Sequence, residues 1–391
     1  MKKRKFRYIS IVFLNLYLFI GSAQDPFYAH FYGNESVFNP ALVGFKGALS
    51  LSAKYKNQWN SNQFNGFKTA QISIEESVPC SYFDYGLNMN WDQEGDGLLT
   101  TIDAGFRLAG TVAFPMGQAI HNLRFGTGLQ WSNKWIDYSR FIFSDELDPK
   151  YGYKDAFGND LKSQFVPPND GRSLVYFTPS FGFAHRILFN KNDKNSATLN
   201  YGLSFHNFYS LGKSNVTGNV ESILGTNTKI PTRYGFFANY EFIALSTRNS
   251  FISFKPLIVF EQQQNIHYFE IGNRFSINRN LGLGIYYHFN NQSKQGWNTN
   301  WFTINAELGK INSRHQRFDF GLSYSDNLTG VRNYLGAIVE ISVAIHFASS
   351  PSCKLIGKGD KVPYSYDTKC PYNLFSLSKR KLYENIWFKS K

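Results

Sequence analysis

Residues Leu335 to Phe347, LGAIVEISVAIHF, carry an apolar side chain at every odd position from Val339 on: Val339, Ile341, Val343, Ile345 and Phe347. Glu340, Ser342 and His346 fall between them, and Ala344 is the one interruption. Successive side chains of a strand point to opposite faces, so this stretch has one apolar and one polar face. The same alternation recurs upstream. Its cleanest instance is Tyr82–Asp92, where Phe83, Tyr85, Leu87, Met89 and Trp91 oppose Asp84, Gly86, Asn88, Asn90 and Asp92. No long apolar helix is written after the first 20 residues. Strands of about ten residues, apolar outward and polar inward, are the signature of a transmembrane β-barrel. Lipid offers no partner for an open strand edge, so the last strand must close on the first.

The pattern predicts strands at Ala48–Trp59, Phe67–Glu75, Tyr82–Asp92, Leu99–Phe114, His121–Trp131, Leu174–Arg186 and Ala197–Phe208. It continues with Arg233–Phe242, Phe251–Gln262, Ile266–Phe275, Leu281–Asn290, Trp301–Leu308, Phe318–Tyr324 and Leu335–Phe347. The expected fold is therefore all-β, a transmembrane barrel of about 14 antiparallel strands, an even number as in bacterial barrels. With both termini periplasmic, the long connections Ser132–Arg172 and Ser210–Thr232 fall on the outside. Asn60–Gly66, Gln93–Leu98, Asn291–Asn300 and Asn327–Tyr334 join them, while the inner turns are short, Leu188–Ser196 being the longest. Pro179 and Pro256 lie within good alternation, and a closed barrel has no free edge to host them, so each is expected to mark a bulge.

The ends read differently. Residues 1–23 have the form of a secretory signal: a basic start (Lys2, Lys3, Arg4, Lys5, Arg7), an apolar run from Ile9 to Ile20, and Gly21-Ser22-Ala23 before cleavage. Residues 24–47 lack a clean period and contain Pro40 and Gly44, so they are expected to fold into or under the barrel as a plug or periplasmic segment. The barrel occupies 48–348, and 349–391 form a C-terminal periplasmic tail. Formal net charge is +13; losing the five signal charges leaves +8, and the tail alone carries +6. An exported basic tail meets no nucleic acid, so it is read as solvated and partner-facing. Aromatic content of 18 % suits a barrel with aromatic girdles in the outer membrane and in contact with its lipid. Mean hydropathy of −0.33 excludes a helical membrane protein. Of three cysteines, Cys353 and Cys370 would staple the tail to itself, and Cys80 with either would tie it to a barrel turn.

Little points to chemistry. Asp92, Glu94 and Asp96, with Gly97 and a later Asp103, partly echo a calcium loop, but the bidentate Glu and the flanking helices are missing, so an exposed hairpin loop is expected and no metal. The histidines show no HExxH and no close pair; His206, His288 and His346 fall on polar strand faces. No nucleophile is marked, no nucleotide or other cofactor motif is present, and no catalytic residue is assigned. The bulky Tyr and His on polar faces suit a lumen packed by an inward segment better than an open pore.

These landmarks resemble the PorP/SprF family. Gln24-Asp25-Pro26, Tyr32, Asn39-Pro40-Ala41 and Gly44 are similar to its mature start, and Asn57-Gln58-Trp59 to its signature at the end of strand one. The acidic, glycine-rich run containing Asp92, Gly95 and Gly97 also matches, as do Phe320–Asp326 and Glu340-Ile341-Ser342 near the end. The resemblance implies a non-enzymatic, FadL-like outer-membrane barrel of Bacteroidota, associated with the type IX secretion system and, in gliding members, with motility. It further implies partners: a large secreted adhesin bearing a type B C-terminal domain, the translocon, and periplasmic components. The competing expectation is a FadL-like channel for small hydrophobic molecules.

Overall fold

The computed structural model describes residues 28–352 except 29–30, 34, 47–48, 60–65, 79–81, 96–97, 190–196, 209–222, 224–229, 248–249, 291–299, 312–315, 328–335 and 348–350. Residues 1–23, expected to be a signal, together with Gly97, all three cysteines and the stretch from Cys353 on, lie outside the described residues.

Among the described residues the strands are β1 (Leu49–Gln58), β2 (Phe67–Ser77), β3 (Phe83–Glu94), β4 (Leu99–Met116), β5 (Ala119–Trp135), β6 (Tyr176–Leu188) and β7 (Thr198–His206). They continue as β8 (Arg233–Ser246), β9 (Phe251–Gln263), β10 (Ile266–Ile277), β11 (Leu281–Asn290), β12 (Trp301–Ile311), β13 (Arg317–Asn327) and β14 (Ile338–His346). Each pairs antiparallel with its sequence neighbours, and β14 pairs with β1, closing a 14-strand barrel. The closing register runs from Ser50↔His346 to Gln58↔Ile338, and the Phe347 amide extends it by donating to the Leu49 carbonyl. Every strand thereby satisfies its backbone within the wall, as lipid requires.

The two faces separate as the alternation predicts. Leu87, Met89, Phe106, Phe125, Ile285 and Leu322 are exposed outward, toward lipid. Asp84, Asn88, Asn90, Arg107, Arg124, Glu270 and Thr303 are buried inward. The 251–277 region, where a run of apolar residues blurs the boundary, divides into β9 and β10 around a turn at Gln264.

Four expectations are corrected. Neither proline marks a bulge: Pro179 faces Leu129 and Pro256 faces Asn273 in uninterrupted register. Pro179 lies just past the last β6–β7 pair, Ser180↔His206, where no ladder amide is needed, and its carbonyl still accepts from Asn207. The register shift lies instead at Ile243/Leu245 in β8. The 132–172 connection is shifted to 136–175, because β5 runs on to Trp135 and β6 begins only at Tyr176; it folds on itself and exposes Phe141, Tyr151, Tyr153 and Phe157. Finally, His121 and His185 do form a close pair, with Nδ1 and Nε2 3.1 Å apart, on the outward face of β5 and β6. Sixty-four residues of sequence hide a contact that adjacent strands create.

Beyond β14, Ser352 returns to the barrel. Its amide donates to Glu76 Oε1 (2.8 Å) and its hydroxyl to Glu76 Oε2 (2.9 Å). Tyr85, which faces Glu76 across β2–β3, also bonds the Ser352 hydroxyl (2.7 Å). Glu76 and Tyr85 stand two residues from the exposed Ile74 and Leu87 and so share their outward face, which holds Ser352 on the outer wall at the periplasmic rim.

Candidate functional site

The centre of the lumen is occupied by the chain's own N-terminal segment. Phe31–Gly33 makes a short 3-10 turn, Glu35–Phe38 one helical turn, and Pro40–Leu42 a second 3-10 turn. Asn39 caps the last: its Oδ1 accepts from the Ala41 amide (2.9 Å), with Pro40 at the first position, where a missing amide costs nothing. The same side chain donates through Nδ2 to the Phe183 carbonyl (3.0 Å) and the Leu203 carbonyl (3.1 Å), which belong to facing residues of β6 and β7. Asn39 is fully buried. One amide side chain thus both shapes the turn and ties it to the wall.

The segment has an apolar and a polar side. Phe31, Phe38 and Leu42 pack in one cluster with Phe237 of β8, Leu257 and Val259 of β9, and Tyr286 of β11. Here the strands turn apolar side chains inward as well as outward, because protein and not water covers the lumen face. On the polar side, Arg124 of β5 donates to the Ala41 carbonyl (2.7 Å), the Val43 carbonyl (2.6 Å), Thr111 Oγ1 (2.9 Å) and Asp84 Oδ2 (3.0 Å). Glu75 of β2 accepts from the Gly44 amide (3.0 Å) and from the Ser36 hydroxyl. Gly44 has φ +68°, and a side chain there would press on Asp84 Cβ, so the turn leading into β1 needs glycine. Where the backbone of the turn comes closest to β5 and β6, the wall is glycine: a Cβ on Gly126 would collide with the backbone of Pro40 and Ala41, and one on Gly182 with Asn39 Oδ1.

Two cavities flank the segment. The outer one, about 60 Å³, is lined by Tyr28, Asp92, Asp103, Arg107, His206 and Arg233; Asp92, Asp103, His206 and Arg233 lie near the outer ends of their strands and Arg107 at mid-strand. The inner one, about 100 Å³, lies at the periplasmic ends of β1 and β10–β14 and is lined largely by charged side chains.

The motif residues do not gather into one centre. Asn39, Pro40 and Ala41 lie mid-lumen. Asn57, Gln58 and Trp59 lie at the outer rim, where Trp59 ends β1 in a left-handed conformation (φ 57°) and packs edge-on against Phe67 at 5.5 Å. Asp92 and Gly95 sit two strands away at the same rim. Asp92 turns into the lumen and accepts from Thr69 Oγ1 (2.6 Å), while Gly95 makes the hairpin turn with φ 62°. Of the histidines singled out, His206 contacts the Phe38 carbonyl at 2.8 Å. His288 belongs to a lumen network with Tyr268, Glu270, Thr303 and Ser325. His346 pairs with Asp319 at 3.0 Å. Arg124, Asp84 and Glu75, the residues that hold the segment, carry no local signal: they read as ordinary polar members of alternating strands.

The family described as type IX secretion system membrane protein PorP/SprF matches residues 20–345. The chain belongs to this family. That span includes the inward segment and all 14 strands except the last residue of β14, His346. A PorP/SprF protein of this fold resides in the outer membrane and is a component of type IX secretion. No curated protein sequence matches it. Among solved structures, the β domain of the Bordetella autotransporter BrkA is 9 % identical, with 77 % of this chain and 99 % of that one covered and a TM-score of 0.32. The Ralstonia pickettii toluene transporter TbuX is 10 % identical over 80 % and 92 %, with a TM-score of 0.31. A Pseudomonas aeruginosa FadL homologue is 11 % identical over 79 % and 92 %, with a TM-score of 0.34. These likenesses concern the barrel alone.

Proposed function

We propose that this PorP/SprF barrel acts without catalysis, aiding the secretion or surface anchoring of a large exported protein, an adhesin with a type B C-terminal domain. Its outer face would hold the cargo, and its basic tail would meet the translocon and periplasmic machinery. In a gliding cell the same attachment would serve motility. The observation that carries this reading is the 136–175 connection. Its base continues the β5–β6 ladder, with Ile136 donating to Gly171 (2.9 Å) and Ser173 to Lys134 (2.7 Å). Asp145 and Glu146 then accept from Gln164 (2.8 Å) and Ser163 (3.0 Å), folding the two arms together. On this frame Phe143 stacks on Phe165 at 4.7 Å, beside Tyr138 and Phe141, while Ile142 and Val166 project outward, 57 % and 83 % exposed. An ordered loop presenting exposed apolar groups away from the membrane suits a protein partner.

The test is recovery of partners with the tagged protein from gently solubilised outer membranes, identified by mass spectrometry. One large exported adhesin with type IX components supports the reading. Recovery of the barrel alone, where control complexes survive, turns it toward the second reading, a FadL-like channel for small hydrophobic molecules with the inward segment as its gate. Uptake by protein-containing liposomes tests that reading directly.

A further inference from the structure

The inner cavity is built by small residues on the lumen face. Ser52 of β1, Gly309 of β12, Gly321 of β13, and Ser342 and Ala344 of β14 leave a hollow that charged neighbours surround. Its carboxylates are already engaged. Arg274 bonds Glu307, Arg279 bonds Glu241 (2.5 Å), and Asp319 receives both Arg317 (2.6 Å) and His346 (3.0 Å). Lys46 at the mouth lies 3.6 Å from Glu35.

Lys54 of β1 is different. It is 5 % exposed, and its ammonium has no hydrogen-bond partner. It lies over the Tyr28 ring, 5.1 Å from the centroid. Glu340, Glu35 and Glu75 act on it only through their field. Across the same cavity, His346 is 2 % exposed; its Nε2 is taken by Asp319 and its Nδ1 has no partner. A buried ammonium without a partner is costly, and a hydrogen-bonded counter-charge removes that cost. The guanidinium groups of Arg274, Arg279 and Arg317, which line the same cavity, add a positive field.

We propose that this cavity is a binding site for a single oxyanion group, a carboxylate or phosphate, presented from the periplasm, with the Lys54 ammonium as its direct donor. The volume of about 100 Å³ takes one such group and a few waters, not a whole chain. The anion reaches it either as free phosphate or as the terminal carboxylate of a periplasmic polypeptide, and the two are separable.

The test uses the full mature protein in nanodiscs at constant ionic strength. Inorganic phosphate is followed by ³¹P line broadening. A short peptide with a free C-terminal carboxylate, and its amidated form, are followed by calorimetry. Saturable binding that Lys54→Met weakens at least tenfold is expected, while Lys150→Met on the outer loop leaves it unchanged. Should Lys54→Met not fold, Ala344→Leu, which fills the hollow, must abolish binding instead. Phosphate binding alone assigns a free ion; binding of the free-acid peptide but not its amide assigns a polypeptide terminus. Either supports the site. No saturable binding of phosphate or peptide to the folded wild type, or binding indifferent to both variants, overturns it.

Discussion

Arg124 and Asp84 form an ion pair at 3.0 Å whose side chains are 1 % and 0 % exposed, and this pair holds the N-terminal segment from the wall of the barrel. The pair is one arm of a fork: Arg124 also grips the Ala41 and Val43 carbonyls, and Asp84 Oδ1 accepts from the Val78 amide (2.9 Å). Removing one partner of a buried pair leaves the other uncompensated, at a cost of about 3–5 kcal/mol. Arg124→Met should lower unfolding stability by about that amount, measured by urea titration in detergent. The double variant with Asp84→Asn should recover part of the loss, because no lone charge remains.

The glycine-lined cradle predicts a displacement without any loss of charge. Gly182→Val should drive Asn39 off β6 and loosen the segment, while Gly110→Ala should not, since a Cβ there meets Phe83 at an ordinary 3.7 Å. A reporter cysteine, Ala41→Cys, in a background whose native cysteines are serines, reads the result. It should resist a membrane-impermeant maleimide in the Gly110→Ala background and react in the Gly182→Val background.

The apolar side of the segment makes a separate contribution. Phe38 packs edge-on against Phe31 at 5.3 Å and Phe237 at 6.1 Å. Phe38→Ala should destabilise by about 3–5 kcal/mol through the cavity it leaves. Thermal melting of the folded band on unboiled gels measures the loss, and Phe38→Leu should retain most of the stability.

The outer loop should lose its order in acid. Asp137 is held below the usual carboxylate range by the Ser139 hydroxyl, Asp145 by the Gln164 amide, and Asp155 by the Asn159 side chain. A carboxylate whose pKa is lowered in the folded loop stabilises it at pH values above the unfolded pKa, about 3.9. That stabilisation is lost as pH falls from there through the folded values. Limited proteolysis by pepsin should leave 136–175 intact at pH 5 and cut it progressively below about pH 4. Asp145→Asn should move the onset of cleavage to higher pH.

The strands were legible because lipid enforces the alternation: each outward position must be apolar, and a slip of one residue would turn the whole set inward. Where that constraint ends, so does legibility. Strands β4 and β5 run on to Met116 and Trp135, past their expected ends, because the ladder continues where no bilayer dictates its outward face. The inward side is harder to read, since a polar lumen residue looks the same whether it meets water or protein. Two signals did exist. The unbroken apolar runs Phe236-Phe237 and Leu257–Phe260 mark wall that is covered on both faces. Glycines at lumen positions such as Gly126 and Gly182 mark close approach. Arg124 gave none, because two of its partners are backbone carbonyls more than 80 positions earlier.

The return of Ser352 to Glu76 and Tyr85 bears on how the barrel would take mechanical load. β14 ends beside β1, whereas Ser352, six residues past its end, is fastened to β2 and β3 on the far side of β1. A pull on the tail from below therefore enters the wall beyond the β1–β14 seam. The end of β14 is then spared the pull that would peel its ladder with β1 open one hydrogen bond at a time.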